Sequence, residues 1–164
     1  MARSSTQENV VKLPEMSSDE IEDLLSSQKI CRMALNDRPQ PYIIALDYVY
    51  LDGEMYFHFA DYGRKMDLIG KDPNVSVELD NFCEGAPDFE TITLMGRLVR
   101  VTDRAEKERA AQALLSSATA RGGSGNVAVR HGFESLDKST LASPRSALYR
   151  LEAHDFVALK SPGR

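Results

Sequence analysis

The chain has 164 residues, 42% of them hydrophobic, with a formal net charge of −5, two cysteines and three histidines. That length suits one domain with a real core, and the negative charge argues against a nucleic-acid surface or a polybasic membrane patch, since both need dominant clusters of cations. No run approaches the roughly 20 apolar residues of a membrane span, and the opening MARSSTQENVVKLPEM lacks the apolar core of a secretory signal, so a cytoplasmic location is expected.

Residues 1–16 read as a polar arm broken by Pro14. Ser17-x-x-Glu20 then has the spacing of a capping box, and Ile21, Leu24 and Leu25 follow at helical intervals, which predicts a short amphipathic helix. Residues 29–35 (KICRMAL) alternate as a half-buried strand does, and Asn36-Asp37-Arg38-Pro39 supplies a turn. Residues 42–50 (YIIALDYVY) are rich in β-branched and aromatic residues, with Asp47 as the one charge, and predict a single strand. Leu51-Asp52-Gly53-Glu54 reads as a hairpin turn into the next strand, over 56–59.

A brief helix is expected from Arg64 to residue 69, stopped by Gly70 and by Asp72-Pro73, and residues 75–79 (VSVEL) resume strict alternation. After a loop over 81–88, residues 89–101 (FETITLMGRLVRV) form a long strand in which Gly96 marks a bulge, a bend or a close backbone approach. Asp103-x-x-Glu106 caps a second helix, which fades near Ser117. Residues 118–145 turn to Gly, Ser, Arg and Thr and predict a long loop or insertion, with one short helical turn near Leu136. A closing strand over 147–159 precedes a tail at 161–164. Six strands joined mainly by tight turns predict a mainly β antiparallel barrel or meander, one domain spanning 17–160.

The stretch 56–68 (YFHFADYGRKMDL) carries the chemistry. A strand ends, glycine permits close approach to the main chain, and Arg64 and Lys65 open a helix whose free N–H groups and dipole favour an anion. A solvated basic turn fits the same letters. His58, at the end of that strand, alternates away from Phe57 and Phe59 and fits either a packed strand histidine or a ligand-facing one. Other patterns carry less. Gly123-Ser124-Gly125-Asn126-Val127-Ala128 has the letters of a dinucleotide fingerprint but follows a helix instead of a strand, and Asn74-Val75-Ser76 is a chance sequon in a chain with no secretory signal. Cys31 and Cys83 fit no Cys-x-x-Cys spacing, the histidines lack metal spacing, and no Gly-x-Ser-x-Gly elbow is present.

Together these pieces resemble the FMN-binding split-barrel proteins related to pyridoxamine phosphate oxidase, and most closely the nitroimidazole-resistance-like branch. The resemblance rests on Ile30-Cys31-Arg32-Met33-Ala34-Leu35, on Pro41-Tyr42-Ile43-Ile44-Ala45-Leu46 with Tyr48, and on Tyr56-Phe57-His58-Phe59-Ala60 leading to Gly63-Arg64-Lys65. Phe89-Glu90-Thr91-Ile92-Thr93-Leu94-Met95-Gly96-Arg97 and the Glu106-Lys107 helix continue it, whereas 118–145 lie outside. It implies a six-stranded antiparallel split β-barrel with short flanking helices, paired as a homodimer with FMN between the subunits.

Carried over by position, the resemblance assigns Arg64 and Lys65 to the FMN phosphate, and Ile43, Ile44, Ala45 and Leu46, with Tyr48 close by, to the isoalloxazine. It assigns His58 and Phe59 to the phosphate and ribityl chain, Thr91 to a polar contact where relatives carry glutamine or serine, and Arg32 to a frequent family arginine. The oxidase's Arg-x-His element is absent from ALYRLEAHDFVALKSPGR, which argues against vitamin B6 oxidation.

The implied activity is FMN-dependent oxidoreduction of a small electron-poor acceptor such as a nitroaromatic or quinone, with NAD(P)H as donor and no catalytic side chain, since the chemistry resides on the flavin. The alternatives are a non-enzymatic FMN-binding electron-transfer protein and a haem-binding split barrel.

Overall fold

The computed structural model describes residues 11–82, 88–120 and 146–162, together with 129, 137, 140 and 141. The first helix, α1 (Ser18–Ser27), starts as its capping box dictates: the Ser17 N–H donates to Glu20 Oε2 at 2.7 Å and the Glu20 N–H to Ser17 Oγ at 3.4 Å. It buries Leu24 and Leu25. Strands β1 (Ile30–Leu35), β2 (Tyr42–Asp47), β3 (Val49–Leu51) and β4 (Glu54–Ala60) follow, then α2 (Arg64–Lys71), β5 (Asn74–Asp80), β6 (Glu90–Arg100), α3 (Arg104–Ala120) and β7 (Ser146–Lys160).

The expected hairpin stands between β3 and β4, where Asp52 and Gly53 both take positive φ, 52° and 84°. Such a pair twists with its strands, and Asp-Gly is one of the few dipeptides that adopts it cheaply. The expected bulge also stands: the β6–β7 register shifts between Met95 and Gly96, and a Cβ on Gly96 would lie 2.4 Å from the Glu152 carbonyl oxygen. Glycine is therefore required there by a neighbouring strand.

Two helix ends differ from expectation. Gly70 does not stop α2, which runs on to Lys71 because only Pro73, two residues later, bars helical backbone at Asp72. Helix α3 continues to Ala120, past Ser117, since Ala118 gives it a further buried turn. The expected helical turn at Leu136, the glycine-rich run at 123–128, Cys83 and His131 lie outside the described residues.

The larger departure is the strand count. All strands pair antiparallel in one seven-stranded sheet, ordered β2-β1-β5-β6-β7-β4-β3. The run expected as one strand over 42–50 is broken at Tyr48, so that β2 lies at one edge of the sheet and β3 at the other. With a single residue between them, the two edges must approach, and the sheet curls into a split barrel. Tyr48 makes the break: its ring is 1% exposed and its hydroxyl donates to the Leu25 carbonyl at 2.7 Å.

Inside the barrel, Cys31, Met33 and Leu35 of β1, Phe57 and Phe59 of β4, Val77 and Leu79 of β5 and Ile92 of β6 form a buried core. A second cluster joins Tyr56, Val101 and Leu148 to Ala110 and Leu114 of α3. There Arg150 donates to Glu106 Oε1 at 3.0 Å and to Glu152 Oε1 at 2.9 Å, and the Tyr56 hydroxyl reaches the same Glu106 oxygen at 3.0 Å. These bonds tie α3 to the sheet. Among the described residues, no helix is long and apolar enough to cross a membrane.

Candidate functional site

Strand β3 covers only the first part of β4, pairing Val49 with Tyr56 and Leu51 with Glu54. The second half of β4 is bonded to β7 on one side, from Phe57↔Tyr149 to Ala60↔Ser146, and faces the edge strand β2 on the other. The barrel is split here. A cleft of about 310 Å³ fills the gap, with Tyr42, Ile44, Ala45, Leu46 and Asp47 of β2 on one wall and His58, Phe59 and Ala60 of β4 on the other. Ile30 and Lys65 complete the lining.

The α2 end of the cleft is cationic. Gly63, at φ 83° with open space where a Cβ would be, is the N-cap, and no side chain caps the first turn of α2. The two adjacent cations then part company. Lys65 is half-buried, lines the cleft, and has no carboxylate partner among the described residues; its ammonium lies 5.5 Å from the Tyr62 ring centroid, and burial lowers its pKa. Arg64 is exposed. It donates to Asp37 Oδ2 at 2.5 Å and stacks 4.8 Å above the ring of Tyr42, which places it at the rim; the Asp37 bond raises its pKa.

His58 is 3% exposed, and its Nε2 lies 2.6 Å from the Ser146 hydroxyl oxygen, also buried. His58 is thus a packed strand histidine that also borders the cleft. Asp47, a second buried polar residue, lines the opposite wall.

Of the residues expected at the site, the cleft brings together Ile44, Ala45, Leu46, His58, Phe59 and Lys65. Arg64 reaches only its rim. Ile43 does not line it, and its side chain is 62% exposed. Tyr48 does not line it either: its side chain belongs to the core and braces α1. Arg32 and Thr91 also lie outside the lining. They share the exterior face of the sheet, where Arg32 pairs with Glu78 at 3.1 Å and with Asp80, and Thr91 donates to Glu78 Oε1 at 3.4 Å. Cys31 is buried, and burial pushes its thiol up to about 12, which makes it inert. Sequence reasoning missed Ile30, Tyr42, Asp47 and Ala60 as lining residues. Asp47 had a signal, a lone charge in an apolar strand.

The sequence profile of the pyridoxamine 5'-phosphate oxidase family matches residues 17–156. The chain belongs to that family. Solved structures agree with the fold. An FAD-binding protein from Mesorhizobium loti superimposes with a TM-score of 0.68 at 19% identity, covering 92% of this chain and 99% of that one. A candidate 5-nitroimidazole antibiotic resistance protein from Bacteroides thetaiotaomicron gives 0.64 at 15% identity, covering 91% and 90%. A heme-binding protein from Mycobacterium smegmatis gives 0.68 at 16% identity, covering 94% of this chain and 57% of that one. Comparison with curated proteins yields no match. Within the pyridoxamine 5'-phosphate oxidase family the fold is thus the split barrel, and the cleft occupies its split.

Proposed function

We propose that the cleft binds a flavin, FMN, and that the protein is an FMN-dependent oxidoreductase acting on a small electron-poor acceptor of the nitroaromatic or quinone type. The observation that carries this reading is Lys65: a half-buried ammonium with no carboxylate partner among the described residues, beside a helix start with no side-chain cap, at one end of a cleft with largely apolar strand walls. A desolvated cation left without a counter-ion is costly, and a bound phosphate removes that cost. The donor set therefore fits a phosphorylated planar ligand, as do Ile44, Ala45 and Leu46 along the wall.

When bound, the flavin supplies hydride or electron transfer. The chain's own residues bind and orient it. Lys65 and the first-turn amides of α2 hold the phosphate, β2 lies along the ring system, and the buried His58–Ser146 pair keeps the opposite wall rigid. Two proteins of similar fold are an FAD-binding protein and a candidate nitroimidazole resistance protein, which supports the flavin and the acceptor class.

The active form is a homodimer with the flavin between its subunits. Ile30 of the cleft lining and Ile43 of the adjoining strand are exposed large apolar residues, as are Phe156 and Val157 of β7, and a second copy covering the first pair would also shield the open side of the cleft. The absorption spectrum of the purified protein tests the cofactor. A flavin spectrum, with reduced nicotinamide oxidised only when an acceptor is present, is the expected result. Flavin without turnover would leave a non-enzymatic electron carrier, and a Soret band would replace the reading with haem binding.

A further inference from the structure

Asp37 stands in the β1–β2 loop with both carboxylate oxygens engaged: Oδ1 accepts the Arg38 N–H at 2.9 Å, and Oδ2 accepts from the Arg64 guanidinium at 2.5 Å. The loop itself is anchored. Asn36 Nδ2 donates to Asp72 Oδ2 at 2.8 Å and to the Asn74 carbonyl at 3.3 Å. Asp37 therefore meets Arg64 as a fixed group, and Arg64 meets Tyr42, a lining residue of the cleft.

We infer that Asp37 is a specificity-determining residue that competes with the ligand's phosphate for Arg64. The inference rests on the flavin reading and adds a property of this chain's own residues. Of the two adjacent cations, one already carries a carboxylate, so a ligand meets the net charge of Lys65 alone. A terminal phosphate monoester, close to doubly charged, loses most from this arrangement. The pyrophosphate bridge of FAD spreads its two charges over two phosphates, so the one at this site carries a single charge and loses less, and an uncharged ligand loses nothing. Asp37 thereby narrows the preference of the cleft for FMN over FAD, while its grip on Arg64 keeps that guanidinium on the Tyr42 ring.

Equilibrium titration of the flavin-free protein with FMN, FAD and riboflavin, for the natural chain and for Asp37→Asn and Asp37→Ala, tests this. Both variants should bind FMN tighter by on the order of threefold or more, the effect of removing one like charge several ångströms away through a partly aqueous path. FAD should gain less, and riboflavin should not change. Melting curves of both variants should stay close to that of the natural chain, because the Asp37–Arg64 pair is largely exposed on the arginine side. Unchanged or weaker FMN binding would overturn the inference by making Asp37 a positioner of Arg64, and an equal gain for riboflavin would overturn it by removing the phosphate from the effect. If the natural chain binds none of the three, the flavin reading itself fails and the inference with it. Flavin binding without the Asp37 effect sinks the inference alone.

Discussion

Arg64 and Lys65 are neighbours in sequence and opposites in environment: the guanidinium is exposed and paired with Asp37, whereas the ammonium is half-buried, faces the cleft, and meets no carboxylate among the described residues. Two cations that look equivalent as letters are therefore unequal as ligands. The unequal pairing follows from geometry at a helix start, where successive side chains diverge by about 100° and only one can face the split of the barrel.

The first expected outcome concerns that inequality. Lys65→Ala should weaken FMN binding by about tenfold or more, since about 1.4 kcal/mol is one decade and a partly desolvated charge-assisted bond exceeds it. Arg64→Ala should cost less, because its guanidinium is already engaged. Flavin-fluorescence titration of both variants checks the order, and equal losses would mean that both cations serve the phosphate alike.

Tyr48→Phe separates a structural role from a binding role. The variant removes the hydroxyl that donates to the Leu25 carbonyl in a buried site, and should lower stability by about 1–2 kcal/mol. FMN affinity should hold. Chemical denaturation together with the flavin titration reads both quantities, and a large loss of affinity at unchanged stability would return Tyr48 to the site.

Gly96→Ala should be among the most damaging small changes in the sheet. The added methyl would meet the Glu152 carbonyl oxygen at 2.4 Å and the Ala153 Cα at 2.9 Å, both backbone atoms that cannot swing aside. Overpacking of this kind costs about 1–3 kcal/mol. A melting temperature equal to that of the natural chain would show that the β6–β7 bulge has room to open.

Glu20 links pH to stability. Its carboxyl is held down to about 2 by the Lys160 ammonium first and by the Ser17 backbone N–H next, against 4.5 for the free group. A depressed carboxylate pKa contributes stability that is fully present above about 4.5 and is lost as pH falls toward 2. Glu20→Gln should therefore flatten the acid limb of the stability curve in that window and leave the slope near neutral pH alone. Thermal unfolding of the two proteins from pH 7 to pH 3 decides it.

Val157→Glu bears on the proposed dimer. A charge on an exposed apolar position, 52% accessible, should leave the fold intact and weaken self-association, and FMN affinity should fall with it if a second copy shields the ligand. Sedimentation with and without flavin measures the coupling. Association that ignores both the substitution and the flavin would remove the shared site.

The features legible in the letters are those whose physics is local. The Ser17-x-x-Glu20 box, the Asp52-Gly53 turn, the alternation of 75–79 and the demand for glycine at 96 each depend on a few neighbouring residues, and each stands in the structure. The cationic helix start belongs with them. What tertiary contact alone decided is where that helix start points. The run 42–50 holds no breaker, so nothing local announces the kink at Tyr48; the anchor is a carbonyl on α1, distant in sequence, and without the kink the edges of the sheet would not meet. The same distant contacts gather Asp37 onto Arg64, leave Lys65 facing the cleft, and send Arg32 and Thr91 to the exterior around Glu78. Residue type announces which groups can hold an anion, and only the closing of the barrel determines which of them stand where a ligand can reach.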